Sequence, residues 1–290
     1  MLKIKTTRKF PSAIRWILWV LLVQLILINI SASLYAYKFT HFYTDPALRI
    51  YHPARNVFAK TWKLFTGPKQ PRSVITEIPV FPFDTVVLKT ASGSPIDVWY
   101  SETDSVAKGT IIFFHGITVS KSMMVHPANE LRYLGYNVML VDFRGHGNSG
   151  GNKTTIGIKE SEEVKLAYDY AVNKGDKNIF LFGSSLGAVV VAKAIADYHL
   201  RVSGIILDMP FLSLQTYMEG KARRVGFPQQ PFAFLTTLWT GLENGFNGFH
   251  HQTTRYVKQI TCPVLMEWGA LDDFVLKEET AEIYKAIASS

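Results

Sequence analysis

NIFLFGSSLGAVVVAKAIADY, at residues 178–198, joins an apolar strand to a helix through a short turn. The run Asn178–Phe182 is short and apolar, as buried strands are, and Leu186–Tyr198 is rich in alanine and valine. The turn Gly183–Gly187 follows the pattern G-x-S-x-G, which places small residues on both sides of Ser185. Between a strand and a helix this pattern predicts a nucleophile elbow, because the crowded turn lifts the serine hydroxyl above the sheet.

Short apolar runs alternate with helical segments on both sides of this turn. The other predicted strands are Thr85–Thr90, Ile96–Ser101, Thr110–Phe114, Asn137–Asp142, Val202–Leu207 and Pro263–Trp268. The other predicted helices are Pro127–Leu134, Ile158–Val172 and Lys277–Ala288. Continuous apolar strands that alternate with helices predict an α/β fold, a doubly wound and mostly parallel sheet that is covered on both faces. Ligands bind such sheets at the carboxyl ends of the strands.

Two backbone N–H groups near these strand ends are candidates for an oxyanion hole. Leu186 directly follows the serine of the turn, and Ile117 belongs to the sequence His115-Gly116-Ile117, which comes after the strand Thr110–Phe114. A serine attacks a carbonyl group well only when such donors stabilise the oxyanion. We expect His115 to support this loop and not to act as a base.

The candidate acid follows the last predicted strand. In enzymes that use the G-x-S-x-G turn, the catalytic groups come in the order serine, acid, base along the chain. Asp272 lies shortly after Pro263–Trp268 and is therefore the predicted acid. Its neighbour Asp273 is interpreted as a solvated residue or helix cap, and Asp208, after the preceding strand, as a less favoured alternative acid.

Four motifs in residues 83–290 resemble the α/β-hydrolase family, in its serine aminopeptidase-like and lysophospholipase-like branch. The motifs are FFHG (113–116), VDFRGHGNSGG (141–151), LFGSSLGA (181–188) and PVLMEWGALDDFV (263–275). The resemblance implies a serine hydrolase that cleaves an ester, thioester or amide through an acyl-enzyme on Ser185, with Asp272 as its acid. It also implies that no metal and no dissociable cofactor takes part, and that His115, Gly116, Gly183 and Gly187 are supporting residues.

The histidine of the family pattern has no counterpart after Asp272. The eight histidines, which all precede this aspartate, are His41, His52, His115, His126, His146, His199, His250 and His251. Three explanations are open: the chain is truncated before a last strand, which is the favoured one; it is a non-catalytic binding or scaffold protein with this fold; or His146, His250 or His251 replaces the missing base.

The N-terminus is predicted to anchor the protein in a membrane. Residues 16–37 carry no charge over 22 positions, with tryptophans at one end and tyrosines at the other, and a bilayer core takes about 20 helical residues. The basic residues of segment 1–15 predict a cytoplasmic N-terminus and a hydrolase domain outside the cytoplasm. The alternative is a cleaved signal peptide, which has the same basic start and apolar core.

The charge of the chain also favours a membrane over nucleic acid. The net charge of the 290 residues is +8, but five basic residues and no acidic residue lie in residues 1–37, which leaves 26 basic against 23 acidic residues elsewhere. The bulk of the protein therefore has no basic field for nucleic acid. The single cysteine, Cys262, excludes an internal disulfide and a cysteine-rich metal site.

Two further segments complete the predicted organisation. Residues 38–82 form a basic, proline-rich juxtamembrane connector with one short helix around 57–65, which either lies on the membrane surface or packs on the domain. Residues 212–259 are rich in aromatic residues and are predicted to form a lid over the nucleophile, as suits a small-molecule or lipid-like acyl substrate. Lys221, Arg223 and Arg224 of this segment are interpreted as a solvated face, with contact to an anionic head group as the alternative.

Overall fold

The computed structural model describes residues 11–49 and 56–287. Residues 1–10, which carry most of the predicted basic segment, and residues 50–55 of the predicted connector lie outside the described residues. His52 belongs to the second of these gaps.

The first helix, α1, spans Ser12–Thr40. By its length and composition it suits a membrane span or a signal sequence, and it is the one such helix in the part of the chain that the structure describes. The predicted span, 16–37, ends earlier than the helix. Side chains up to Ile28 are exposed and Asn29 is half-buried, whereas Ala32, Ala36 and Phe39 are buried against the rest of the protein. The last third of α1 is therefore part of the folded domain.

The connector after α1 contains two short strands that pair in parallel, a turn of 3-10 helix and one α-helix. These elements are β1 (Phe42–Tyr43), the 3-10 helix Pro46–Arg49, α2 (Val57–Thr66) and β2 (Gln70–Pro71). The side chain of Asn56 caps α2 by accepting the N–H of Ala59, at 2.8 Å. Only the C-terminal end of α2 is buried, so the helix does not pack its apolar face on the domain.

Seven strands form the main sheet, in the order β3-β4-β6-β5-β7-β8-β9. In chain order they are β3 (Asp84–Lys89), β4 (Pro95–Ser101), β5 (Thr110–Phe114), β6 (Asn137–Val141), β7 (Ile179–Ser184), β8 (Gly204–Asp208) and β9 (Val264–Glu267). Strand β4 is antiparallel to both of its neighbours, and the strands from β6 to β9 are parallel. The predicted mostly parallel sheet is confirmed.

Seven helices follow α2 along the chain. They are α3 (Val125–Tyr133), α4 (Ser161–Lys174), α5 (Leu186–Tyr198), α6 (Leu214–Arg224), α7 (Phe232–Asn244), α8 (Thr253–Val257) and α9 (Lys277–Ala286). Helix α3 covers one face of the sheet, and α4 and α5 cover the other. Helices α6 to α8, together with the 3-10 helix Gly248–His250, lie between β8 and β9 in sequence and form the segment that was predicted as a lid.

Alternation along the central strands sends side chains into two cores. Ile111 and Phe113 of β5 pack toward α3, whereas Ile112 and Phe114 pack toward α4 and α5. Every residue of β5 is buried, as expected of a strand that is covered on both faces. Burial of each phenylalanine stabilises the fold by about 2–3 kcal/mol, so this strand fixes the platform on which the loops at its carboxyl end are built.

Candidate active site

Ser185 occupies a sharp turn between β7 and α5. Its φ of 52° and ψ of −108° lie in a region that residues with a side chain rarely adopt. Two glycines make the turn possible. A Cβ at Gly187 would overlap the carbonyl oxygen of Phe114, and a Cβ at Gly183 would overlap the backbone of Ala188. Ser185 is half-buried at the first turn of α5, where the helix dipole favours negative charge.

The loop after β5 approaches this serine closely. A Cβ built on Gly116 would lie 3.4 Å from the Cβ of Ser185. The His115 ring is buried and fixes the loop: its Nδ1 donates to the Gly116 carbonyl at 2.7 Å, and its Nε2 accepts the Phe143 N–H at 3.1 Å. Among the hydrogen bonds of the described residues, none uses the N–H of Ile117 or of Leu186. Two candidate oxyanion donors are thus left without a protein acceptor.

A buried cluster of charges holds the same loop in place. The Lys121 ammonium is fully buried, contacts the carboxylates of Asp97 and Asp142 and lies 4.4 Å from the Trp99 ring centre. Asp142 also accepts the backbone N–H of Lys121, at 2.7 Å. Burial opposes ionisation of Asp142, but the adjacent Lys121 holds the pKa of this carboxyl group below its usual value. Sequence reasoning did not find this cluster, because its members are 20 or more residues apart.

Asp272 lies in the loop after β9. Its Oδ1 accepts the N–H of Phe274 at 2.8 Å, and its own N–H donates to the Gly269 carbonyl at 2.9 Å. Its neighbour Asp273 is exposed and pairs with Arg224 at 3.3 Å. The N-cap position of α9 is occupied by Leu276, so Asp273 is not the helix cap.

Asp208 lies at the end of β8, beside the serine turn. Its Oδ2 accepts the hydroxyl of Ser184 at 2.7 Å, and its carbonyl accepts the N–H of Ser185 at 2.8 Å. Burial raises the pKa of the Asp208 carboxyl group; the Ser184 hydrogen bond acts in the opposite direction, and the charge of Asp272 raises the pKa further. Because β8 and β9 are parallel neighbours, Asp208 and the loop that carries Asp272 lie at the same edge of the sheet, and Asp208 accepts the Ser184 hydroxyl there.

Arg223 and Trp268 hold the loop that carries Asp272. The Arg223 guanidinium donates to the carbonyl groups of Asp273 and Phe274 at 2.9 and 2.8 Å. The Trp268 indole N–H donates to the Val275 carbonyl at 2.9 Å. The prediction that Arg223 lies on a solvated face is wrong. It missed this contact because the sequence of a helix does not indicate that one of its basic residues has a partner 50 positions away.

Two of the three histidines considered as substitute bases are occupied by buried hydrogen bonds. In His146, Nε2 accepts the Thr118 N–H at 3.3 Å and Nδ1 donates to the Arg144 carbonyl at 2.9 Å. In His251, Nε2 donates to the Ile156 carbonyl at 2.7 Å and Nδ1 accepts the Tyr256 hydroxyl at 2.8 Å.

Burial keeps both rings neutral. It lowers the pKa of His146 to about 3 and that of His251 to about 4. Neither ring has a nitrogen left to accept the proton of Ser185, so both act as structural residues. The third candidate, His250, is exposed on the segment between β8 and β9.

The segment between β8 and β9 packs aromatic side chains toward the loop that carries Asp272. Tyr217 of α6 contacts Phe211, Phe274 and Phe39 of α1, with ring-centre distances of 5.1, 4.9 and 5.7 Å. Lys221 lies over the Phe39 ring at 4.8 Å, and burial lowers its pKa to about 8. The interpretation of Lys221 as part of a solvated face is therefore wrong. Within residues 11–49 and 56–287, no group of three or more His, Cys, Asp or Glu side chains is arranged to hold a metal ion.

Comparison with known proteins supports a hydrolase relationship. Residues 105–243 match the family model described as serine aminopeptidase, S33. The chain is 27% identical over 187 residues to the uncharacterized protein YqkD of Bacillus subtilis, covering 61% of this chain and 59% of that protein. It is 25% identical over 193 residues to the lysophosphatidylserine lipase ABHD12 of Xenopus tropicalis, covering 62% and 47%. The chain thus spans roughly half the length of these relatives.

Two solved structures with the same architecture are named as esterases. The esterase Pf2001 of Pyrococcus furiosus superposes with a TM-score of 0.62 at 26% identity, over 74% of this chain and 82% of that chain. An esterase from Exiguobacterium antarcticum superposes with a TM-score of 0.53 at 17% identity, over 71% and 89%, a likeness that concerns the fold alone. The turn before α5 lies within the residues that the family model matches.

Proposed function

We propose that the chain, which has the α/β-hydrolase fold, is a serine hydrolase that cleaves an ester, thioester or amide through an acyl-enzyme on Ser185. One observation carries this proposal: the strained serine at the β7–α5 turn lies beside two backbone N–H groups, of Ile117 and Leu186, that have no protein acceptor among the described residues. Two N–H groups without a protein acceptor, next to a hydroxyl at a helix N-terminus, can stabilise the oxyanion that forms during acyl transfer.

The proposed mechanism assigns one role to each group. The Oγ of Ser185 attacks the acyl carbon, the oxyanion of the tetrahedral intermediate accepts the N–H groups of Ile117 and Leu186, and collapse of the intermediate releases the alcohol, thiol or amine. Water then attacks the acyl-enzyme and frees the acid. Asp272 orients a general base, a role that neither His146 nor His251 fills. This base takes the Ser185 proton and later delivers it to the leaving group. Asp208 positions the turn through Ser184 and takes no part in proton transfer.

The substrate class is proposed to be a lipid-like acyl compound. Helix α7 of the lid is mostly apolar, and Tyr217 of α6 contacts Phe274 in the loop that carries Asp272. An apolar surround with a few polar groups at the reacting centre suits an acyl chain. The lipase activity that is named for the ABHD12 relatives supports the same class.

We further propose that α1 anchors the protein in a membrane, with the N-terminus in the cytoplasm and the hydrolase domain on the other side. The uncharged surface of α1 and the basic residues that precede it support this orientation. In membranes from cells that express the gene, the protein should stay in the pellet after alkaline carbonate extraction, and added protease should digest the domain only from the non-cytoplasmic side. Release into the supernatant would refute the anchor.

Labelling by a fluorophosphonate probe tests the catalytic proposal in the same membranes. Such probes phosphonylate an activated serine, so the wild-type protein should be labelled and the Ser185→Ala variant should not. Ser184→Ala is the matched control, since it removes the neighbouring hydroxyl and leaves the proposed nucleophile intact. If the wild type is not labelled, or if Ser185→Ala is labelled equally, the assignment of Ser185 is wrong.

A further inference from the structure

Helix α2 exposes an apolar face that no part of the described chain covers. Phe58 and Trp62, one turn apart on the same side of the helix, are 77% and 57% exposed. Val57 and Leu64 are also exposed but lie on a different side. The opposite side carries Lys60 and Lys63, and the helix contains no acidic residue. An exposed apolar face opposite lysines is typical of helices that lie in the head-group region of a bilayer.

Contacts with α1 fix the height of α2 along the proposed membrane span. The Ser31 hydroxyl donates to the Phe65 carbonyl at 2.5 Å, and the Lys38 ammonium donates to the Thr66 hydroxyl at 2.6 Å. Gly67, directly after α2, packs against the Tyr35 ring so closely that a Cβ there would lie 2.6 Å from it. The C-terminal end of α2 is thus attached to α1 between residues 31 and 38.

The lid helix α7 meets α1 at the same height. The Trp239 indole N–H donates to the Asn29 side-chain oxygen at 3.2 Å, and the Ser33 hydroxyl donates to Glu243 at 2.8 Å. With a rotation of about 100° per residue, these α1 positions lie on the side opposite to those that contact α2. Helices α2 and α7 therefore flank α1 on opposite sides.

Helix α7 also turns apolar side chains outward. Phe234 and Leu242 are exposed, and Leu238, one turn from each, is half-buried. These residues recur every four positions and form one stripe along the helix.

The length of the exposed part of α1 places this level at the edge of the bilayer. The uncharged segment from Trp16 to Ile30 is about 21 Å long at about 1.5 Å per residue. A hydrocarbon core of about 30 Å needs roughly six residues more, which extends it to Ala36. Ala36 lies within the part of α1 that contacts α2 and α7, so both helices are close to the height where acyl chains end and head groups begin.

From these observations we propose that α2 and the outer stripe of α7 form a membrane-contacting surface, which seats the lid and the Ser185 edge of the sheet on the bilayer. The surface consists of Phe58 and Trp62 of α2 and of Phe234, Leu238 and Leu242 of α7. Its occupant is the boundary between head groups and acyl chains of the bilayer that holds α1, and the two lysines of α2 favour anionic lipid. The inference rests on the membrane anchor proposed above.

The membrane-contacting surface also determines how an acyl lipid reaches Ser185. The C-terminal end of α1 is fixed to the loop after β6, where Thr154 donates its N–H to the Thr40 carbonyl at 2.9 Å. That loop lies at the carboxyl edge of the sheet, as do Ser185 and Asp272. An acyl lipid therefore reaches the site from the bilayer under the lid, without crossing water.

Position-specific fluorescence tests the surface on the full chain. With Cys262→Ser as background, an environment-sensitive fluorophore is attached at Phe58→Cys or at Val106→Cys, and the protein is reconstituted in vesicles of equal parts phosphatidylcholine and phosphatidylglycerol. Val106 is the control, because it is 96% exposed and precedes β5 at the opposite edge of the sheet. We expect iodide to quench the label at position 58 about fivefold less than the label at 106, and spin-labelled lipid to quench only the label at 58.

Two results would overturn the inference. Equal iodide quenching at both positions would mean that α2 faces water. Protection at position 58 without quenching by spin-labelled lipid would mean that a protein, such as a second copy of this chain, covers the face.

Hydrolysis by a double variant separates this inference from the proposed function. Phe58→Ser combined with Trp62→Ser should reduce hydrolysis of a vesicle-embedded acyl ester about tenfold and leave hydrolysis of a short-chain soluble ester unchanged. An equal loss with both esters would contradict a role at the membrane. If the wild type cleaves neither ester, the hydrolase proposal fails, whereas the quenching experiment still decides the surface.

Discussion

Replacement of Ser185 by glycine should make the protein more stable, while replacement by alanine should not. The backbone at Ser185 has a φ of 52° and a ψ of −108°, and a residue with a side chain in such a region costs about 2 kcal/mol. Glycine removes that strain, but its greater freedom in the unfolded chain costs about 0.7 kcal/mol relative to alanine. Ser185→Gly should therefore exceed Ser185→Ala by about 1 kcal/mol in free energy of unfolding, or about 3 °C in Tm for a domain of this size.

The assay is thermal unfolding of the full chain in detergent micelles, followed by tryptophan fluorescence. Trp99, which is buried in the core beside α3, reports unfolding of the domain. Ser184, an extended residue of β7, provides the matched comparison: there glycine should be less stable than alanine by about 0.7 kcal/mol. If glycine and alanine rank in the same order at both positions, the turn stores no strain at Ser185, and the argument that it forces the hydroxyl into an attacking position fails.

Three further outcomes follow from the surroundings of the site. Asp272→Asn should lower kcat/KM about 10³-fold or more, whereas Asp208→Asn should lower it less than about tenfold, as measured on one acyl ester; the reverse order would exchange their roles. Lys121→Met should lower the free energy of unfolding by about 3–5 kcal/mol in urea titrations, because it leaves two carboxylates without their buried cation, and a loss below 1 kcal/mol would contradict this. The pKa values of His146 and His251 are lowered to about 3 and 4 in the folded protein, so unfolding takes up protons below about pH 6.5. The free energy of unfolding should therefore fall by about 2 kcal/mol per ring between pH 8 and pH 5. His251→Gln should remove about half of that loss, and an equal loss in the variant would contradict the prediction.

Sequence reasoning was most successful where local pattern and tertiary environment agree. The predicted bounds of Thr110–Phe114 and Leu186–Tyr198 are those of β5 and α5. All of β5 and most of α5, from Leu186 to Ala196 except Lys193, are buried, so the apolar composition alone carries the signal. At the helix Ile158–Val172 the structure starts three residues later, at Ser161, because Glu160 before it accepts four hydrogen bonds within residues 154–157 and holds them in a loop.

Contacts between segments that are distant in the chain could not be predicted from the sequence. The spacing of Lys121, Asp142 and Asp97 does not reveal that they meet, because each follows or belongs to a different strand, and strand order is set by packing of the whole sheet. The same holds for α1. Asn29, Ser31 and Ser33 interrupt its apolar run, but these polar residues alone do not reveal that the helix is buried against α7 from Ala32 onward.

That change makes α1 part of the domain and not a flexible tether. Phe39 is buried against Tyr217, and Tyr217 in turn packs on Phe274, two residues after Asp272. Loss of the Phe39 side chain alone would cost about 3–5 kcal/mol in a well-packed core, and the gap would open beside the acid loop. A tether would let the domain tilt freely, whereas these contacts fix the distance and angle between α1 and the edge that carries Ser185. The segment proposed to hold the protein in the membrane thus also sets the orientation of the Ser185 edge toward the bilayer, from which the proposed lipid substrate would come.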